Sequence, residues 1–246
     1  MHVLAAGSLR SVWQPLMAQF PEHVDTQFGP AGLLRERIEA GERCDLFASA
    51  SLEHPLALQR AGRAASVTPF ASNRLCLTVR SDVLRAQDDW RSVLMRGDLR
   101  VATSTAGADP SGDYTQVLFS RMGEAGEALR TRAIALVGGR DSSPIPAEML
   151  AAQWIIFSGQ AEVFIGYASY AAALRQIAGL TVMDIPAPYN PRADYACAVI
   201  TPRAQRLADF LQSDGAKGRL RQAGFGEPAC PKPSSARSRS ATGRTF

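Results

Sequence analysis

Short apolar runs typical of β-strands alternate with segments of helical periodicity along almost the whole chain, and this alternation restricts the fold more than any other feature of the sequence. The first unit joins an apolar run at residues 2–6 to a segment at 9–20 in which apolar side chains recur at helical spacing. Comparable units follow at residues 24–40, 44–61 and 99–132. Strands that alternate with helices in this way predict an α/β protein with mainly parallel sheets.

Two helices are predicted in the middle of the chain. One long helix is predicted from residue 112 to about 132, and another from 147 to 157, each beside an apolar run. In sheets of this type ligands bind at the carboxyl ends of the strands, where the next helix begins. Functional residues are therefore expected at the strand-to-helix junctions.

The charge of the chain is concentrated at its end. The formal net charge is +4, and residues 231–246 carry all of it on one lysine and three arginines, with no acid among them. Residues 1–230 are therefore neutral overall and lack the basic excess expected of a nucleic-acid-binding domain. Because the end is rich in Ser, Arg and Pro and poor in apolar residues, residues 229–246 are predicted to form a disordered basic tail.

The sequence leaves the redox state and the location open. Its cysteines, Cys44, Cys76, Cys197 and Cys230, lie far apart without the spacing of a metal site, so disulfides and buried free thiols both fit them. No stretch approaches the roughly 18 apolar residues that span a bilayer. The first predicted strand begins without a signal peptide before it, which implies a missing leader, a misassigned start or a cytoplasmic protein.

Three strand-to-helix junctions consist mainly of small residues and favour an anion. They lie at residues 5–10, 28–33 and 108–114, and Ser8 in the first is the expected N-cap of the following helix. Each junction presents free backbone N–H groups and the positive end of a helix dipole. None matches a nucleotide-binding loop or a nucleophile elbow, so the junctions alone predict an α/β domain with an anion-binding cleft.

Residues arranged for catalysis are scarce in the sequence. Of the histidines, His2, His23 and His54, the last two are expected at the surface rather than at strand ends suited to a general base. Asp109 and Asp113 flank a turn before a helix, where the helix dipole favours acids that have no catalytic role. A binding protein is therefore expected rather than an enzyme.

Taken together, these segments resemble the molybdate-binding proteins of ABC importers, which are class II periplasmic solute-binding proteins. The most specific match joins Ile-Glu-Ala-Gly at residues 38–41 to Asp-Leu-Phe-Ala-Ser-Ala at 45–50. The other matching segments follow the family's order, at residues 5–9, 27–37, 72–77, 109–114, 164–169 and 210–225. The resemblance implies two α/β lobes, each a mainly parallel sheet flanked by helices, which close on a ligand by hinge motion.

The resemblance also implies how the chain is divided. Residues 1–74 together with 196–228 would form the first lobe, and residues 75–195 would form the second. The ligand would lie between the two lobes, and the tail at 229–246 would belong to neither.

In proteins of this kind neutral donors hold a tetrahedral oxyanion, namely two serines, two backbone N–H groups at helix starts and a tyrosine. The resemblance places these positions at Ser8, Ala31, Ser111, Met149 and Tyr167. Ala31 departs from the family, because the serine hydroxyl is absent there and the preceding proline has no N–H to donate. One lost hydrogen bond to a charged ligand costs about 1.5–3 kcal/mol, and the hydroxyl of Ser111 can restore part of it.

The leading hypothesis is an extracytoplasmic solute-binding protein that captures molybdate or tungstate for the permease of an ABC importer. No cofactor is expected, and a metal would be bound only as the oxyanion. The chain is further expected to act as a monomer and without nucleic acid.

Other hypotheses stay open at this point. The same scaffold can bind a phosphate-like or organic anion, and a carboxylate at Asp109 or Asp113 would accept a hydrogen bond from hydrogen phosphate while repelling a fully deprotonated ion. Paired phenolates at Tyr167 and Tyr170 would suit Fe³⁺, but no cluster of acids and histidine accompanies them. A cytoplasmic ligand-sensing module agrees with the missing leader and disagrees with the absence of a DNA-binding segment.

Overall fold

The computed structural model of the protein describes residues 1–228, which form two five-stranded sheets flanked by helices and thereby confirm the predicted two-lobed α/β class. The predicted tail at 229–246 lies outside the described residues. The strands are β1 (His2–Ala6), β2 (Asp25–Gly29), β3 (Leu46–Ser49), β4 (Ser66–Asn73), β5 (Leu75–Arg80), β6 (Val101–Ser104), β7 (Ile134–Val137), β8 (Val163–Tyr167), β9 (Leu180–Asp184) and β10 (Ala193–Val199). The α-helices are α1 (Arg10–Met17), α2 (Ala31–Glu39), α3 (Glu53–Arg60), α4 (Trp90–Met95), α5 (Pro110–Arg121), α6 (Glu124–Arg132), α7 (Ala151–Phe157), α8 (Ala171–Leu174), α9 (Gln205–Leu211) and α10 (Asp214–Gln222).

Each sheet combines three parallel strands with antiparallel ones. In the first sheet, ordered β2-β1-β3-β10-β4, β1 pairs in parallel with β2 and β3, while β10 runs antiparallel to β3 and β4. The second sheet, ordered β7-β6-β8-β5-β9, has β6 parallel to β7 and β8, and β5 antiparallel to β8 and β9. The sequence pattern predicts mainly parallel pairing, but each sheet is mixed, because the strands that cross between sheets lack the helical connection that parallel pairing requires.

The chain passes twice between the sheets. It leaves the first sheet at Arg74, which separates β4 from β5, and it returns between β9 and β10. The predicted boundary after residue 195 is too late, because residues 193–195 already pair with β4 in the first sheet. Asp194 interrupts the apolar pattern there and conceals the start of the strand in the sequence.

Two predicted helices have different bounds in the structure. The helix predicted over residues 112–132 is divided into α5 and α6 at Gly123, whose φ of 67° lies in the left-handed region that favours glycine. The helix predicted from residue 147 begins instead at Ala151, because two prolines shortly before it keep the chain out of the helical conformation. The later start of α7 bears on the cleft, because residues 149–152 line it.

The described cysteines are buried as free thiols. Cys44, Cys76 and Cys197 are buried and form no disulfide with one another. Burial raises the pKa of each of these thiols to about 12, so they are protonated at neutral pH and behave as small apolar side chains. Cys230 lies outside the described residues. Over residues 1–228 no helix combines the length and the apolar character that crossing a membrane requires.

Candidate functional site

One cleft between the two sheets gathers the site positions predicted from the sequence. It has a volume of about 880 Å³ and is lined by strand ends and helix starts of both lobes. Ser8 and Ala31 line it from the first lobe, and Ser111, Met149 and Tyr167 line it from the second. The structure therefore brings all five positions to one place, although several of them offer different atoms from those predicted.

Ser8 contributes a hydroxyl group but not a helix cap. It lies inside a 3₁₀ turn over Gly7–Leu9, and neither this turn nor α1 has a side-chain cap. The prediction that Ser8 is an N-cap is wrong, because helical backbone begins one residue before it. Its Oγ lies 2.7 Å from the hydroxyl of Tyr195, a buried residue of β10.

The amide of Asn73 anchors the hydrogen-bond chain that reaches Ser8. Its Oδ1 accepts from the backbone N–H groups of Arg74 and Ser169 at 2.9 and 3.2 Å. This fixes Nδ2 as the atom that lies 3.4 Å from the Tyr195 hydroxyl. Since Nδ2 can only donate, Tyr195 accepts from Asn73. Between Ser8 and Tyr195 either hydroxyl can be the donor, and when Tyr195 donates, the proton of the Ser8 hydroxyl is free for a ligand in the cleft.

Ala31 offers a backbone donor at the start of α2. It is the first residue of the helix, so its N–H has no acceptor within the helix. Pro30 before it has no N–H, and the N–H of Gly32 after it donates across the cleft to the carbonyl of Ala108 at 2.9 Å. The first turn of α2 therefore presents the Ala31 N–H to the cleft and, as predicted, no hydroxyl.

Ser111 offers its hydroxyl, whereas the resemblance implies its backbone N–H. That N–H donates to Oδ1 of Asp109, the N-cap of α5, at 3.1 Å. The Oγ of Ser111 is buried and has no hydrogen-bond partner among the described residues. The expected backbone donor is thus already used, and a side-chain donor that the family pattern does not require stands beside it.

Asp109, which the sequence offers both as a helix N-terminal acid and as a contact for a protonated anion, lines the cleft. Its carboxyl group is half-buried, and burial raises its pKa to about 6, although hydrogen bonds from Ser111 and Ser104 oppose the shift. Gly138, at a φ of 76°, packs against it, and a Cβ there would come within 2.5 Å of Oδ2. An acid that changes charge close to neutral pH therefore lies in the wall of the cleft. The cap position before Pro110 was visible in the sequence, because an acid ahead of a helix-starting proline is a common N-cap signal.

Tyr167 ends β8 with its hydroxyl directed to the cleft lining. The residue is only 5% exposed and packs against Tyr195 with ring centres 5.9 Å apart, but no group among the described residues meets the geometry of a hydrogen bond to its buried hydroxyl. Burial raises the pKa of Tyr167 well above its ordinary value of 10, so the hydroxyl keeps its proton and can donate it. Its neighbour Tyr170 instead reaches the carbonyl of Gly7 on the opposite lobe at 3.4 Å.

Met149 lines the cleft but does not supply the predicted backbone donor. Its N–H donates to the carbonyl of Pro146 at 3.0 Å, within a turn that precedes α7. The helix starts at Ala151, two residues beyond the position that the resemblance implies.

Charged side chains at the cleft are few. Arg10, an exposed residue that sequence reasoning did not select, lines the cleft with its guanidinium 4.8 Å from the centre of the Phe28 ring. Asp113 does not line the cleft, because its carboxylate accepts the N–H of Gly107 at 2.7 Å and holds the loop before α5. Two acids remain in the lining, the exposed Glu148 and Asp109, and Asp109 is the one at the start of α5.

Metal-binding and catalytic clusters are not found in the described residues. No group of three or more His, Cys, Asp or Glu side chains within residues 1–228 is placed to hold a metal ion. The cleft lining over the same residues contains no histidine. His54 is buried rather than at the surface as expected, and burial lowers its pKa, so it is neutral.

The two lobes touch across the mouth of the cleft. The hydrogen bond from Gly32 to Ala108 joins their backbones, and a Cβ at Gly32 would come within 2.6 Å of that carbonyl oxygen. Arg140 and Glu36 form an ion pair between exposed side chains on opposite sides. The cleft is therefore bridged at its rim while its interior keeps donors without acceptors.

Comparison with known families and proteins agrees with this architecture. A family model described as a bacterial extracellular solute-binding protein matches residues 1–226. An uncharacterized protein of Pasteurella multocida is 46% identical over 220 residues, which cover 86% of this chain and 91% of that protein.

Two solved structures have the same fold at low sequence identity. The periplasmic molybdate-binding protein of Azotobacter vinelandii superposes with a TM-score of 0.76 at 17% identity, covering 93% of this chain and 100% of that one. PEB3 of Campylobacter jejuni with L-phospholactate bound has a TM-score of 0.69 at 16% identity, covering 92% of this chain and 99% of that one. At such identities the likeness concerns the fold alone.

Proposed function

Because this chain belongs to the family of bacterial extracellular solute-binding proteins, we propose that its cleft captures a small tetrahedral oxyanion and delivers it to the permease of an ABC importer. The role is binding and not catalysis. We also propose that the protein works outside the cytoplasm, as a monomer and without nucleic acid. The family description supports the location, and the neutral charge of residues 1–230 supports the lack of nucleic acid.

The observation that carries this proposal is the pair of unpartnered hydroxyl groups at Ser111 and Tyr167. Both are buried in the same cleft wall, and neither has an acceptor among the described residues. A buried polar group without a partner costs about 1–3 kcal/mol, and native proteins rarely keep such groups unless a ligand or water satisfies them. A ligand with several acceptor oxygens would satisfy both.

The donors are also placed to surround such a ligand. The hydroxyl of Ser8 and the N–H of Ala31 line the cleft from the first lobe, opposite the hydroxyls of Ser111 and Tyr167. A tetrahedral ion presents acceptor oxygens in four directions, so donors on both lobes can bind it at once. Binding on both sides would in turn favour the closed arrangement of the lobes.

Molybdate and tungstate are the first candidates for the free ion. The donors are neutral, as in the molybdate-binding proteins that the sequence resembles, and the Azotobacter vinelandii protein with the same fold is a molybdate-binding protein. The metal would enter only as part of the oxyanion, since the proposed site consists of hydroxyl and N–H donors.

A phosphate-like anion is the second candidate, and the carboxyl group of Asp109 favours it. An ionised carboxylate in the cleft wall repels a fully deprotonated anion, but it accepts a hydrogen bond from an anion that carries a proton. The PEB3 structure, which has L-phospholactate bound, adds support from the same fold. Sulfate and phosphate are similar in size, but only phosphate carries a proton near neutral pH. Tighter binding of phosphate than of sulfate would therefore favour the second candidate.

Calorimetric titration with molybdate, tungstate, sulfate and phosphate tests the proposal. We expect at least one of these ions to bind, and Ser111→Ala to weaken it tenfold to a hundredfold, since a hydrogen bond to a charged group contributes about 1.5–3 kcal/mol. Ser120→Ala is the matched control, because Ser120 lies on the same helix with its hydroxyl bonded to the carbonyl of Gln116. Equal affinities in the two variants would place the ligand elsewhere.

A further inference from the structure

The cleft extends beyond the oxyanion donors into a pocket on one face of the second sheet. We call this pocket the annex; its lining residues are Cys76, Thr78, Ala152, Phe164, Gly166 and Leu174. Cys76 lies opposite Gly166 and Thr78 lies opposite Phe164 in the pairing of β5 with β8. Because alternate residues of a strand share a face, these four positions form one continuous floor.

The floor of the annex is shaped by a glycine beside an aromatic ring. A Cβ at Gly166 would come within 2.6 Å of the Phe164 ring, so the ring occupies the space that a side chain at 166 would fill. Ala152 and Leu174, both buried, close the annex from α7 and α8. None of the annex residues is charged, and the Cys76 thiol stays protonated because burial raises its pKa to about 12. The annex therefore suits an apolar group.

The size of the cleft also favours a ligand larger than an inorganic ion. A free tetrahedral ion occupies on the order of 100 Å³, taking each oxygen as roughly the size of a water molecule. The cleft measures about 880 Å³, which lies in the range of sites that hold small organic molecules, roughly 300–1,000 Å³. An inorganic ion at the donors would leave most of the cleft unfilled.

We propose that the annex is a subsite for the short apolar group of an organic phosphoryl compound, a phosphate monoester or a phosphonate, whose oxygens occupy the oxyanion site. This inference rests on the proposed function of that site. A phosphoryl group suits it better than a sulfonate, because a phosphoryl oxygen can carry a proton near neutral pH and share it with the carboxyl group of Asp109. A sulfonate has no such proton and meets only repulsion there.

Titration calorimetry with methylphosphonate, propylphosphonate, propanesulfonate and inorganic phosphate tests the subsite. Each methylene buried in the annex should raise affinity about fourfold, so propylphosphonate should bind at least tenfold more tightly than methylphosphonate. Propanesulfonate should bind at least tenfold more weakly than propylphosphonate. Equal binding of the phosphonate and the sulfonate would overturn the phosphoryl assignment.

Ala152→Leu fills the annex without touching the proposed oxyanion donors. It should abolish the advantage of propylphosphonate over methylphosphonate while changing the affinity for phosphate less than twofold. Ala61→Leu, at an exposed position after α3, is the matched control and should change neither. If the filled variant does not fold, Phe164→Leu enlarges the annex and should shift the preference from propylphosphonate toward butylphosphonate. No shift in either variant would overturn the subsite.

Failure of this inference and failure of the proposed function give different results. If molybdate, sulfate or phosphate binds and the propyl group adds nothing, the annex is not a subsite and the oxyanion site stands. If none of the inorganic ions and none of the phosphonates binds, the oxyanion site itself is refuted and the annex proposal with it.

Discussion

The two walls of the cleft differ in how their polar groups are satisfied before any ligand arrives. On the first lobe, the hydroxyl of Ser8 belongs to a chain of hydrogen bonds through Tyr195 to Asn73. On the second lobe, the hydroxyls of Ser111 and Tyr167 are buried without partners among the described residues. The Ser8 hydroxyl of the first wall is therefore bonded within the fold, although the Ala31 N–H beside it is free within its helix, whereas only a ligand or water can satisfy the Ser111 and Tyr167 hydroxyls of the second.

This difference separates stability from binding. Removing a group from the first wall breaks a hydrogen bond of the folded protein and should lower the free energy of unfolding. Removing an unpartnered hydroxyl from the second wall takes away the cost of burying it, so the free energy of unfolding should not fall. Only the affinity for the ligand should decrease. Polar groups left unsatisfied by a fold are commonly groups with a function, which is the reason that the second wall carries the proposed assignment.

Two buried tyrosines give the largest expected contrast between the walls. Tyr195→Phe removes a bonded hydroxyl and should lower the free energy of unfolding by about 1–3 kcal/mol. Tyr167→Phe removes an unpartnered hydroxyl and should leave that free energy unchanged or higher, while oxyanion affinity falls tenfold to a hundredfold. Urea denaturation and calorimetric titration of both variants measure the contrast. If Tyr167→Phe were the less stable of the two, the division between the walls would be wrong.

Asp109→Asn is expected to have the next largest effect, and its sign depends on pH. The pKa of about 6 in the folded protein lies above the ordinary value of 3.8, so the folded state holds the extra proton between these pH values. The burial of Asp109 therefore does not lower the free energy of unfolding below about pH 4, and it lowers that free energy by its full amount above about pH 6. Asparagine keeps the helix cap without the charge.

The variant should consequently be more stable than the wild type by about 1–2 kcal/mol at pH 7, a value reduced from the full pKa shift because cleft water screens the carboxylate. The two proteins should be equally stable at pH 4. Urea denaturation at both pH values checks this. A constant difference at all pH values would mean that Asp109 keeps its ordinary pKa.

Ala31→Ser restores the hydroxyl that the family has on the first wall, and its expected effect is the smallest. The new hydroxyl would add one donor at the start of α2, where the Ala31 N–H already faces the cleft. If the ligand is molybdate or tungstate, its affinity should rise by up to about tenfold. The gain is limited because the hydroxyl of Ser111 already restores part of the hydrogen bonding that is lost at position 31. For a larger or protonated anion, calorimetry should show no gain or a loss, because the hydroxyl takes space that alanine leaves free.

The sequence predicts which residues meet in the cleft better than it predicts which of their atoms face a ligand. All five predicted positions line the cleft, because strand and helix periodicity places junctions at the same sheet edge. The N–H of Ser111 is nevertheless used by Asp109, and the N–H of Met149 is used by Pro146. Such local competition for a donor depends on turn geometry that periodicity does not describe.

The same limit explains the misplaced helix starts. The cap role assigned to Ser8 fails by one residue, and α7 begins at Ala151 instead of 147, since prolines and 3₁₀ turns alter the register near helix ends. The sequence does show a glycine at position 123, inside the helical pattern that the structure divides there. Its cost in a helix interior, about 1 kcal/mol, is too small to identify a break without the structure.

The melting temperature of the purified protein with and without tetrahedral oxyanions tests the central claim most directly. A ligand at a hundred times its dissociation constant stabilises the folded state by about 2.7 kcal/mol, which is readily measured as a thermal shift. We predict that at least one ion or organic phosphoryl compound raises the melting temperature of the wild type and of Ser120→Ala. At the same concentration it should raise that of Ser111→Ala and Tyr167→Phe much less. If no tetrahedral oxyanion, free or esterified, raises the melting temperature, or if all four proteins respond equally, the cleft does not bind oxyanions through these hydroxyls.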